Sequence, residues 1–112
     1  MPRHTAIVPA AGSGARFGSD VPKQYLELAG RPMIYHSLAV LCRCERIDQV
    51  WAVLSAGDEW WEAYDWTDLG PKLRAIRCGG ATRAESVTNG LAVAGAALDE
   101  GDWVLVHDAA RP

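Results

Sequence analysis

A short apolar segment, Ala6-Ile7-Val8, runs directly into Pro9-Ala10-Ala11-Gly12-Ser13-Gly14-Ala15-Arg16-Phe17-Gly18, and Pro22-Lys23-Gln24-Tyr25 follows shortly after. Small residues and glycines behind a strand let backbone N–H groups approach a phosphate chain and cradle its oxygens. Arg16 adds a planar guanidinium fork, and Lys23 a compact ammonium on a flexible stem. Together the two cations could hold a nucleoside triphosphate and stabilise charge building on its α-phosphorus. Taken alone, the glycines also suit an ordinary strand-to-helix turn, and Lys23 a solvated surface position. The loop follows neither common phosphate pattern. Its third glycine is misplaced for a dinucleotide fold, and no Gly-Lys-Ser/Thr completes a P-loop.

Two further clusters carry candidate chemistry. In Gly79-Gly80-Ala81-Thr82-Arg83-Ala84-Glu85-Ser86-Val87, Thr82 and Glu85 have the spacing of a helix capping box. Arg83 and Ser86 are not explained by capping, and from the first helical turn their side chains could reach a base or sugar. In Val106-His107-Asp108-Ala109-Ala110-Arg111-Pro112, Asp108 lies just past an apolar run. An aspartate there suits a Mg²⁺ ligand or a ribose contact, and equally a turn or cap. His107 reads as a local hydrogen-bonding or packing residue.

Positioning these clusters requires strands that end where the clusters begin. Thr5–Pro9, Gln49–Ser55, Leu73–Cys78 and Trp103–His107 read as four strands. Trp51-Ala52-Val53-Leu54 and Trp103-Val104-Leu105-Val106 are apolar enough to be covered on both faces. Ile34, Leu38 and Leu41 recur at helical spacing behind Pro32, which suits a first helical turn. Val87, Leu91, Ala94 and Leu98 form a second buried stripe, stopped by Gly101. Gly57–Thr67, acidic and rich in tryptophan, reads as a short helix plus loop. Its Trp60, Trp61 and Trp66 are packing groups or, alternatively, a partner surface. The alternation predicts an open, mostly parallel α/β sheet with helices on both sides. All three clusters would then meet beyond the carboxyl ends of its strands.

With 112 residues, 49% apolar and 22% charged, residues 1–112 make one globular domain at most. The net charge of −3 argues against a nucleic-acid binder, so the useful positive charge must be local. No stretch is long enough to span a bilayer, and none reads as a targeting segment. Cys42, Cys44 and Cys78 lack metal-ligand spacing, and as reduced thiols they suit the cytoplasm.

The four motifs in this order, Pro-Ala-Ala-Gly-x-Gly-x-Arg, Pro-Lys-Gln-Tyr, Gly-Gly-x-x-Arg-x-x-Ser-Val and Val-His-Asp-Ala-Ala-Arg-Pro, resemble the 2-C-methyl-D-erythritol 4-phosphate cytidylyltransferases. The related ribitol-5-phosphate enzymes usually carry Ala-Gly-Gly in the first loop and His-Asp-Ala-Val-Arg-Pro in the last. Ala10-Ala11-Gly12 and Ala109-Ala110 favour the erythritol group. The resemblance implies a Rossmann-like three-layer sandwich of the nucleotide-diphospho-sugar transferase type. The implied reaction, a step of the non-mevalonate route to isoprenoid precursors, transfers CMP from CTP, with Mg²⁺, to 2-C-methyl-D-erythritol 4-phosphate and releases pyrophosphate; ribitol 5-phosphate or another polyol phosphate is the alternative acceptor. Arg16 and Lys23 match the transition-state cations. Ala10, Ala11, Gly12, Gly14, Gly80, Arg83, Ser86, Asp108 and Ala109 match nucleotide-binding positions, with Asp108 on the metal side. Ala81 stands where some relatives carry an acidic residue, so a contact there would have to come from its backbone.

Members of this group run to roughly twice this length. Their second half supplies the acceptor subsite and an arm used in homodimerisation. The chain therefore reads as the truncated, CTP-binding half, with little or no turnover of its own and an exposed sheet edge. A nucleotide-sensing half-domain without catalysis is the alternative from another class, and the retained Arg16, Lys23 and Asp108 argue against it.

Overall fold

The run that leads into the glycine loop forms the spine of the sheet. The computed structural model describes residues 3–11, 22–95 and 102–108. In chain order its elements are β1 (His4–Ala10), β2 (Glu27–Leu28), β3 (Arg31–Pro32), α1 (Met33–Arg43), β4 (Gln49–Ser55), β5 (Leu73–Gly79), α2 (Arg83–Gly95) and β6 (Trp103–Val106). Single 3-10 turns occupy Lys23–Tyr25, Trp61–Ala63 and Thr67–Leu69. The main sheet has the order β5-β4-β1-β6, and every pairing in it is parallel. Ile7 of β1 lies opposite Trp51 of β4 on one side and Val106 of β6 on the other.

Helices lie on both faces of the sheet, as the strand–helix alternation predicts. On one face α1 buries Ile34, Leu38 and Leu41, with Tyr35 and Cys42 beside them, against Ala6, Val8, Val50, Ala52 and Leu54. A fully buried side chain such as Leu38 contributes about 1.5–3 kcal/mol. The tryptophan-rich segment packs into the same layer, and the Trp61 and Trp66 rings stack with centroids 4.0 Å apart. This supports the packing reading of Trp60, Trp61 and Trp66. The segment forms two 3-10 turns instead of the expected helix. Asp58 and Asp65 accept the N–H groups of Trp60, Trp61 and Thr67, which closes tight turns before a helix can propagate.

On the other face α2 lies against Ile7, Trp51 and Val53. Its buried residues are Ser86, Gly90 and Ala94, whereas Leu91 is 40% exposed. The expected Val87–Leu91–Ala94 stripe is thus rotated. The cause is proximity, because a Cβ on Gly90 would lie 2.9 Å from a Val53 methyl and 3.3 Å from an Ile7 methyl. Small residues face the sheet and the leucine moves to the flank. Leu98 and Gly101 lie outside the described residues.

Three other expectations change in detail. Pro32 directly precedes α1 instead of occupying its first turn, since it still pairs with Glu27 in a β2–β3 hairpin. Ala29 and Gly30 make that hairpin turn with φ of 54° and 80°, as a two-residue turn of this hand requires. β6 ends at Val106, and one face of it is open, with Trp103 65% and Leu105 51% exposed. β6 is one of the sheet's two edge strands, β5 being the other, and no described element crosses its open face. By contrast, β4 is buried throughout from Val50 to Leu54.

Replacing Gly90 by valine should cost about 1–3 kcal/mol, because the added methyls have to displace Ile7 and Val53. Urea denaturation of the variant beside the parent chain measures this as a lower midpoint at unchanged slope.

Candidate functional site

Because all four strands of the main sheet are parallel, their carboxyl ends share one edge. The chain steps outward from β1 to β4 to β5, then crosses back to β6 on the far side of β1. That reversal lies between β1 and β6. In sheets of this kind the crevice beyond the strand ends at such a reversal takes the ligand. Ala10, Ala11, Lys23, Gly80, Arg83, Ser86 and Asp108 are all described, while Gly12, Gly14, Arg16 and Ala109 lie outside the described residues.

The first cluster leaves β1 at Ala10, which is buried. Its carbonyl oxygen accepts a hydrogen bond of 2.8 Å from the Gln24 amide, so the Lys23–Tyr25 turn is tied to the end of β1. Gln24 and Tyr25 are buried and Lys23 is exposed. The Tyr25 hydroxyl donates to Asp58 Oδ2 at 2.7 Å, and the rings of Trp60 and Tyr64 flank it. Burial first, and the Asp58 hydrogen bond second, raise the phenol pKa far above its ordinary value. The hydroxyl therefore stays a donor at any physiological pH.

The second cluster meets the first through an absent side chain. A Cβ on Gly79 would lie 2.3 Å from Ala11 Cβ and 2.8 Å from the Leu54 carbonyl oxygen. Only glycine lets the end of β5 and the start of the first loop come this close. Beyond it the backbone folds back onto α2. The Gly80 N–H donates to Ser86 Oγ at 3.1 Å, the Ala81 N–H to Glu85 Oε2 at 3.0 Å, and the Glu85 N–H to Thr82 Oγ1 at 3.1 Å. Asn89 Nδ2 donates to the Cys78 carbonyl at 2.8 Å. The Thr82–Glu85 capping pair is present, with the carboxylate reaching Ala81 instead of Thr82.

Two of these positions have local partners. Ser86 is buried, and its hydroxyl oxygen holds the Gly80 N–H; its position shapes the loop. Of the backbone groups Ala81 could offer a ligand, the N–H is taken by Glu85 Oε2.

The third cluster extends the β1–β6 pairing by one step, with the His107 N–H donating to the Ile7 carbonyl at 3.0 Å. His107 Nδ1 is bonded to the Asp108 carbonyl at 2.9 Å, the local role expected of it. Asp108 Oδ1 accepts from Arg83 Nε at 2.7 Å. Arg83 and Asp108 were singled out for different tasks, sugar or base contact and metal binding, and the fold joins them. The pair is largely solvent-exposed, so it contributes under about 1 kcal/mol to stability. Its consequence is geometric, since each side chain restrains the other just past the carboxyl end of β6.

A magnesium ion needs oxygen ligands, and the described residues contain no group of three side chains able to hold a metal. Asp108 alone fits a Mg²⁺ whose remaining ligands are phosphate oxygens and water, the usual arrangement for this ion. Gln24, Tyr25 and Asp58 were not identified as site residues from sequence. Gln24 and Tyr25 stand inside the Lys23 motif, which is a signal, but Asp58 stands in none.

Comparison with known proteins follows the same lines. The profile of the IspD family, 2-C-methyl-D-erythritol 4-phosphate cytidylyltransferase, matches residues 4–112. A 2-C-methyl-D-erythritol 4-phosphate cytidylyltransferase of Dechloromonas aromatica is 63% identical over 112 residues, covering all of this chain and 49% of that protein. A crystal structure of a 4-diphosphocytidyl-2C-methyl-D-erythritol synthase superposes with a TM-score of 0.80 at 34% identity, over 99% of this chain and 48% of that one. The Francisella tularensis cytidylyltransferase superposes with a TM-score of 0.72 at 33% identity, over 98% and 45%. The chain spans about half the length of the curated relatives it matches.

Replacing Gly79 by alanine should push Ala11 and the β5 terminus apart and destabilise the chain by about 1–3 kcal/mol. Thermal unfolding followed by circular dichroism reads the loss. Gly57→Ala, at a position with open space around it, serves as the control and should shift little.

Proposed function

The chain belongs to the 2-C-methyl-D-erythritol 4-phosphate cytidylyltransferase family, and on that footing we propose that it carries the CTP-binding half of an enzyme making 4-diphosphocytidyl-2-C-methyl-D-erythritol. In this reading a phosphate oxygen of 2-C-methyl-D-erythritol 4-phosphate attacks the α-phosphorus of CTP. A new P–O bond forms, the bond to the β-phosphate breaks, and pyrophosphate leaves. The observation that carries the reading is convergence. The Lys23 turn is tied to the last carbonyl of β1, and the Arg83–Asp108 pair sits just past β6, at the reversal of the sheet.

The chemistry asks little covalent work of the protein, so positioning and charge carry most of the rate. Lys23, exposed on a turn whose two neighbouring residues are buried, suits a cation that follows charge as it moves from the α-phosphorus to the leaving pyrophosphate. Arg16 has the matching role by resemblance. Backbone at Ala10, Ala11, Gly12, Gly14 and Ala109, with the Gly80 turn, lines the nucleotide. Arg83 serves the sugar or phosphate side. Mg²⁺, when bound with CTP, neutralises triphosphate charge, and Asp108 is the residue that would hold it. Acceptor binding, homodimerisation and a cytoplasmic setting belong to the same proposal and rest on the family resemblance. No helix among the described residues is long and apolar enough to cross a membrane.

Isothermal calorimetry on these 112 residues with Mg²⁺ should show CTP bound in preference to ATP, GTP and UTP. Equal affinities would remove the cytidine reading. In a protein of the relatives' full length, Lys23→Ala should lower kcat by about a hundredfold or more in a pyrophosphate-release assay. The same assay with ribitol 5-phosphate as acceptor should give little turnover, and a preference for it would reassign the acceptor.

A further inference from the structure

The lysine assigned to charge stabilisation sits on a turn that side chains hold in place. Lys23 lies in a single 3-10 turn, which closes only through the Tyr25 N–H to the Pro22 carbonyl and the Leu26 N–H to the Lys23 carbonyl. A turn that short has no stiffness of its own. Two side-chain attachments fix it, one to β1 and one to the β4–β5 connection. Gln24 reaches Ala10 at the end of β1, and Tyr25 is driven into the layer beside α1, 1% exposed, where its hydroxyl meets Asp58.

Asp58 is itself held from several sides. Its Oδ1 accepts the N–H groups of Trp60 at 2.8 Å and Trp61 at 2.9 Å, its own N–H donates to Ser55, and its carbonyl accepts from Arg77 Nη1 at 2.7 Å. Arg77 is further paired with Glu62, whose carboxyl pKa that hydrogen bond lowers. The carboxylate is therefore a fixed post at the end of β4. The second oxygen of that post, Oδ2, is the one that takes the phenol.

We infer that Asp58 and Tyr25 form a positioning device for Lys23, an anchor in the β4–β5 connection that sets where the lysine ammonium stands during transfer. The inference rests on the proposed role of Lys23. It extends that role to a residue 35 positions away in the sequence that touches neither substrate. Asp58 and Tyr25 are positioning residues, and Lys23 is the group that meets the reacting phosphate. A displacement of order 1 Å at such a group can cost up to about a hundredfold in rate, so loss of one anchoring bond should be visible in kcat.

The test is a cycle of variants in a protein of the relatives' full length, assayed for pyrophosphate release from CTP with 2-C-methyl-D-erythritol 4-phosphate. Tyr25→Phe deletes one oxygen and keeps the ring in its slot, and Asp58→Ala removes the post. Each should lower kcat by about tenfold while the KM for CTP stays within about twofold, since the lost interaction acts on the transition state. In the Lys23→Ala background the same two changes should have no further effect on kcat. An unchanged kcat in Tyr25→Phe overturns the inference. So does a tenfold loss that persists undiminished without Lys23, which would mark a general structural role. A Lys23→Ala protein as fast as the parent would instead overturn the role of the lysine, and the anchor with it. Circular dichroism confirms folding, and where Asp58→Ala does not fold, Tyr25→Phe carries the test.

Discussion

The structure depends on β1 being hydrogen-bonded in parallel on both of its edges. A parallel neighbour cannot be reached by a tight turn, so the chain has to cross over a face of the sheet each time it adds a strand beside β1. One crossing carries α1 and the other α2, and they lie on opposite faces. Burial of β1 from Thr5 to Ala10 follows directly. The same constraint brings the carboxyl ends of all four main strands to one edge and puts the reversal of the path between β1 and β6, the place where sheets of this kind take ligands. Fold and site are thus two results of one pairing pattern.

Close approach is the second condition, and two glycines meet it. Gly90 lets α2 settle onto Ile7 and Val53, and Gly79 lets the β5 terminus touch the start of the first loop. The polar residues of the motifs then divide by task. Gln24, Thr82, Glu85, Ser86 and Asn89 spend hydrogen bonds on backbone groups that the turns would otherwise leave unmatched. Lys23, Arg83 and Asp108 stand toward solvent at the crevice. Residues that share one motif thus divide between holding backbone and facing solvent.

Much of this was legible in the residues. The four strands follow from apolar runs bounded by glycine and proline, and each was placed within a residue or so of its observed ends. The α1 stripe of Ile34, Leu38 and Leu41 followed from periodicity. The α2 stripe was misread because periodicity identifies a helix's apolar side without saying how near its neighbour lies. At the distance Gly90 permits, the smallest residues win the interface and Leu91 yields. The edge exposure of Trp103 and Leu105 illustrates the same gap, since an apolar strand sequence does not reveal whether something covers each face. Asp58 was illegible for a different reason. An acidic residue in an acidic, tryptophan-rich loop reads as a turn former, and its second partner, the phenol, arrives from 33 positions earlier in the chain.

By itself, then, the sequence determined the class of fold, the strand ends that carry the motifs and the family to which those motifs belong. These are properties of residues near one another along the chain: a strand's hydrophobicity, a turn's glycines, a helix's cap. Tertiary structure alone decided which residues meet. It joined Arg83 to Asp108, set the Ser86 hydroxyl against the Gly80 N–H, and tied the Lys23 turn to both β1 and the loop beyond β4. Those outcomes depend on distances between elements, which are fixed by side-chain volume at the contact and by the direction of strand pairing. Neither quantity is written at any single position.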